Sequence, residues 1–246
     1  MISASKSFIQ NSRGDTSVPD YYALHLEKAR EFYDNGNYEA TRMAANHAIE
    51  SSHPGEDSEA KTLLAMALYR LEYVDEALKI LDDIVHKNPI PEAAAEYARL
   101  KAEKGLCDED CLKFAQMALD EDPDLPSAHI AKFWYLSSHG DYIEALYSLI
   151  RGLRRGADVS EAKIFELVRS WCQEKFSQND LQQALQISEI VTDYFNSFDF
   201  LVLHARIAEF ANEPRIAVKY YQKSLTFLRP GPMRSDILET IAKIAI

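Results

Sequence analysis

Cys107 and Cys111, four residues apart, are the first side chains whose spacing suggests chemistry. A structural zinc site needs four ligands, no second pair at zinc spacing follows, and the two read as core thiols. The seven histidines are scattered with no HExxH pairing on a helix face. Asp108-Glu109-Asp110 and Asp120-Glu121-Asp122 lack the glycine and terminal glutamate of a calcium loop. The first run suits a helix N-terminus; the second falls at a C-terminus, where the helix dipole opposes it. Arg151, Arg154 and Arg155 fall in the last turn of a helix, where a capping role outweighs an anion site. With no glycine-rich phosphate loop either, neither catalysis, metal nor cofactor is expected.

The elements that carry these residues follow from composition. The chain has 246 residues, 47% hydrophobic and 27% charged, enough to bury a core and too apolar for a disordered tail. A net charge of −12 repels phosphate backbones, so nucleic acid is not an expected partner. Only 8 glycines and 9 prolines argue for long helices and short loops. No apolar run approaches the roughly 20 residues of a membrane span, and the opening segment lacks a signal core. Three cysteines form no disulfide framework and fit a reducing compartment, so a cytoplasmic location is expected.

A period organises the chain. Pro89 and Pro123 are 34 residues apart, as are Cys111 and Ala145, and residues 58–91 read as two amphipathic helices around a short turn. A small residue recurs at one place in each of six units: Thr41, Ala77, Cys111, Ala145, Ala184 and Ala217. Two helices cross closely there, and a bulky side chain would force the axes beyond about 8–10 Å. On these residues the chain resembles the tetratricopeptide repeat (TPR) family over about residues 22–230, with departures at Arg99 and Phe133, where the family has a small residue. The resemblance implies an all-α, right-handed superhelix of six hairpins, at about 22–55, 58–91, 92–125, 126–159, 160–197 and 198–230. Residues 1–19 read as a disordered tail, with Phe8 and Ile9 able to fill a groove. Residues 231–246 read as a capping helix with Ser235 or Asp236 as its N-cap. Thirteen helices are expected in all.

The resemblance further implies that the first helix of each hairpin lines a concave surface. Its lining would include an apolar stripe of Leu63, Met66, Tyr69, Tyr97, Leu100, Ile130 and Trp134. These residues read equally as anchors for a partner and as packing between helices. Repeats five and six present a more polar lining that includes Arg169, Phe176, Arg206 and Phe210. The Lys and Asn clamp of Hsp70/Hsp90 co-chaperones does not match: its places are held by Leu26, Arg30, Leu63, Ala93 and Tyr97. The expected function is therefore that of an adaptor or scaffold holding a protein or peptide segment. The alternatives are a secretion-type chaperone or regulatory protein with an apolar client, and an accessory subunit of an enzyme.

Overall fold

The computed structural model describes residues 20–244. The tail of residues 1–19 and the final two residues lie outside the described residues. Thirteen α-helices follow one another, with no strand among the described residues. They are α1 (Tyr21–Asp34), α2 (Tyr38–Ser51), α3 (Ser58–Arg70), α4 (Val74–Lys87), α5 (Pro91–Glu103), α6 (Glu109–Glu121) and α7 (Pro126–Ser138). Then come α8 (Tyr142–Arg154), α9 (Glu161–Ser177), α10 (Leu181–Phe195), α11 (Phe198–Phe210), α12 (Pro214–Ser224) and α13 (Pro232–Ile244). The chain divides into two compact units, Met1–Glu72 and Tyr73–Ile246, a division that falls inside the expected second hairpin.

Local signals set the helix boundaries. Asp20, Asn37, Asp108 and Asp180 each accept a hydrogen bond from a backbone N–H three residues on, capping α1, α2, α6 and α10. Each turn between the two helices of an expected hairpin contains one residue at positive φ: Gly36, Glu72, Gly105, Gly140, Asn179 and Asn212. Glycine and asparagine tolerate that conformation, and Glu72 is the exception. The α9 helix has 17 residues against 13 in α7, the extra turn that the wider spacing from Ala145 to Ala184 implies. In place of an N-cap at Ser235 or Asp236, α13 begins at Pro232, whose fixed φ suits the first helical position.

In the first unit, Leu26 packs with Ala48 and Ala60, and Ala29 with Ala44 and Ala45. In the second, one core runs from α7 to α11 through Phe133, Leu146, Leu149, Trp171, Ile187 and Phe200. Tyr142 stacks on Trp171 at 4.5 Å between ring centres. A second core joins Leu201, Tyr220, Tyr221 and Leu225 to Ile237 of the last helix, which covers α12. Arg234 reinforces that cover by donating to the carbonyl of Leu225 at 2.7 Å.

The recurring small residue is what the packing requires. Thr41, Ala77, Cys111, Ala145, Ala184 and Ala217 are all fully buried. Gly152 is equally constrained, since a Cβ there would stand 3.0 Å from Ile130 Cδ1. Ala145→Leu should therefore destabilise the protein by about 1–3 kcal/mol through overpacking. A urea midpoint equal to the wild type's would show that the helices do not pack closely there. The departures from the pattern are accommodated differently: Phe133 enters the core, while Arg99 bonds Glu96 at 2.7 Å and Glu103 at 3.0 Å on its own helix.

Candidate functional site

The seven residues of the expected stripe separate by depth. Leu63, Met66 and Tyr69, on α3 of the first unit, are half-buried, and Leu63 packs against both small cores there. In the second unit Leu100 is 1% exposed and Ile130 2%, so both belong to the interior and offer a partner almost no surface. Tyr97 is also buried. Its hydroxyl donates to Asp82 Oδ1 at 2.8 Å, and its ring meets Phe114 edge-on at 5.4 Å. Burial, followed by the Asp82 hydrogen bond, raises its phenol well above the ordinary value. Tyr97 thus ties α5 to α4 and α6, the packing role rather than the anchoring one.

Trp134 is less deeply buried than these three and opens onto a cleft. Its ring lies 4.7 Å from that of Phe133, and Lys163 Nζ sits 4.8 Å above its face, a cation–π contact. The adjoining cleft, about 300 Å³, is lined also by Cys107, Ser137, Ser138 and Lys163. Trp134 Nε1 is buried with no acceptor among the described residues.

A more apolar cleft lies between α9 and α11, in the repeats whose lining reads as polar. Phe176, Leu203, Ile207 and Phe210 line its 410 Å³, and Arg169 and Arg206 flank it. Phe210 is 72% exposed, and its ring meets Phe176 edge-on at 5.6 Å. Exposing so large an apolar ring costs the isolated chain solvation free energy that a partner's surface would recover. The signal was present in the sequence, because Phe176 and Phe210 both fall on the lining that the family resemblance implies for repeats five and six.

Two of the three cysteines are committed to packing. Cys172 is buried beneath the α9–α11 cleft, where desolvation pushes its thiol up to about 12. Burial likewise raises Cys111 to about 11, and its Sγ donates to the Leu106 carbonyl at 3.2 Å. These are poor nucleophiles at neutral pH. No group of histidine, cysteine and carboxylate side chains able to hold a metal occurs among the described residues. Asp108 caps α6 and bonds Lys101 Nζ at 2.6 Å, which holds its carboxyl below the ordinary value. The second acid run has local partners too: Asp120 accepts from Gln116 at 2.7 Å, and Asp122 accepts from the Asp124 amide at 3.0 Å.

No family model matches the sequence, and no curated protein does so at a significant level. Among solved structures, the chain is similar to PilW, a widely conserved type IV pilus biogenesis factor. The identity is 16% and the TM-score 0.57, over 90% of this chain and 100% of that one. Pseudomonas aeruginosa pilF gives 14% identity and a TM-score of 0.53 over 89% and 97%. The C-terminal part of a TPR repeat-containing protein from Cytophaga hutchinsonii gives 17% and 0.54 over 82% and 78%. At these identities the likeness establishes the architecture, a TPR-type helical repeat.

Proposed function

We propose that this TPR-fold chain is a non-catalytic binding protein that holds a segment of a partner protein and helps assemble a larger complex. The observation that carries the reading is Phe210: a large ring, 72% exposed, beside a second phenylalanine and over an apolar cleft with arginines at its edge. The segment that fits is one presenting an apolar anchor flanked by a carboxylate, since Arg206 at the cleft edge rewards negative charge there, while Arg169 is already bonded to Glu166. Trp134 is the second anchor, in its own cleft. Leu63, Met66 and Tyr69 remain part of the proposed lining of the first unit. PilW, as a pilus biogenesis factor, exemplifies assembly work on the same architecture. No helix among the described residues is long and apolar enough to cross a membrane. Three free thiols support a reducing, cytoplasmic setting.

The test is crosslinking recovery of partners from the native cell, followed by affinity measurement with the purified partner. Phe210→Ala should weaken binding by about 30-fold, the scale of an aromatic hot spot, while leaving thermal stability unchanged. Trp134→Ala should weaken it more modestly. Undiminished binding by both variants would refute the groove. Tyr97→Ala is not a clean probe, because it removes the Asp82 bond and the Phe114 contact inside the fold. Turnover of a substrate by this chain alone would refute the non-catalytic assignment.

A further inference from the structure

A cleft of about 600 Å³ lies among α6, α7 and α8, lined by His129, Lys132, Arg151, Arg154 and Arg155 over an apolar wall of Leu119 and Pro123. Its two α7 residues, His129 and Lys132, are not among the positions of that helix assigned to the partner-binding face, so this is a separate surface. The concentration of cations is out of keeping with a chain of net charge −12. Arg151, in the last turn of α8, and Arg155, the residue that follows its end, are four residues apart and lie on one side of that helix terminus. The sequence favours a capping role for the three arginines, yet the structure gives each a different environment.

Arg155 bonds Asp124 at 2.6 Å. Arg154 reaches the Tyr194 ring at 5.9 Å. Arg151 and Lys132 have no carboxylate partner among the described residues, and both line the cleft. His129 is buried, and its Nε2 is 2.9 Å from the Pro123 carbonyl. Burial first holds its imidazole below the ordinary value, opposed by the Pro123 carbonyl and helped by the charges of Arg151, Lys132 and Arg155. Asp124 is the one carboxylate in the lining, against four cations.

We infer that this cleft binds a phosphoryl group. Guanidinium forks match its oxygens bidentately, and a phosphoryl group brings about 1.5–2 negative charges on three oxygens, where a single carboxylate brings one. A long polyanion is disfavoured because the rest of the chain repels it. The shared chemistry is a phosphate monoester, carried on a partner's side chain or on a small soluble compound.

Calorimetric titration at low salt tests this with inorganic phosphate, a phosphoserine peptide, and the same peptide bearing serine or glutamate. Phosphate and the phosphopeptide should bind, and the serine and glutamate forms should not. Lys132→Ala with Arg151→Ala should lower phosphate affinity at least about tenfold with an unchanged thermal midpoint, as expected when charge-assisted bonds are lost from a half-buried and an exposed side chain that have no carboxylate partner among the described residues. Asp124→Asn should raise the affinity, because it frees Arg155; a purely structural ion pair would leave affinity unmoved. A phosphopeptide binding more tightly than inorganic phosphate assigns the site to a modified partner, and equal or weaker peptide binding assigns it to a small phosphate compound. No heat with either phosphate probe overturns the inference, as does wild-type affinity in the double variant or equal binding of the glutamate peptide.

Discussion

Lowering the pH from about 6.5 to 4 should cost the fold about 3 kcal/mol through a single side chain, His204. The ring is 1% exposed. Its Nδ1 lies 2.8 Å from Ser188 Oγ, and that hydroxyl gives its own proton to the Leu185 carbonyl at 2.9 Å. Nδ1 therefore carries the hydrogen, and Nε2 is left as the basic nitrogen, buried and without a partner among the described residues. Protonation would place a charged N–H in an apolar site beside Tyr220, whose ring is 4.3 Å away. Burial lowers the pKa to about 4; Asp193 raises it slightly and Lys219 lowers it. Because the folded value is depressed, the unfolded chain takes up the proton first as pH falls. The contribution is intact above the unfolded value, declines between 6.5 and 4, and falls no further below that. Urea titrations at pH 7 and 4.5 on wild type and His204→Gln isolate the effect from the carboxylates. Parallel pH dependence in the two proteins would contradict it.

Phe200→Ala should destabilise the protein by about 3–5 kcal/mol, a large part of the stability of an ordinary domain. Phe200 is fully buried, stacked on Phe195 at 5.0 Å and edge-on to Phe165 at 5.3 Å, so one ring joins α9, α10 and α11. Its carbonyl also accepts from Thr192 Oγ1 at 3.1 Å. Phe210, ten residues along the same helix and 72% exposed, supplies the internal control. Its truncation should change stability by less than about 0.5 kcal/mol. Equal urea midpoints for the two variants would contradict this division between the buried and the exposed ring.

The architecture was legible because its determinants are local and repeated. Small residues such as Ala145 mark each helix crossing, and Gly105 or Asn179 marks each turn. The proposed binding surface was less legible, because a period tells which residues share a helix face but not how deep that face lies. Ile130 and Trp134 are one helical turn apart, yet Ile130 meets Gly152 in the interior while Trp134 reaches a cleft. Tyr97 has the residue type of an anchor, and only the position of Asp82 on the preceding helix makes it a packing residue. The α9–α11 cleft was hidden by the polar residues around Phe176 and Phe210. The cations of the α6–α8 cleft, taken singly, match the preferences of a helix end; their convergence is tertiary.

Each substantial helix contact joins elements one or two places apart in the chain. Little loop entropy must be spent before any such contact forms, so collapse can start at any hairpin and spread to its neighbours, and folding should be fast for a chain of this length. For the same reason, deletion from the C-terminus should remove structure one hairpin at a time, leaving the remainder folded but with an uncovered apolar end.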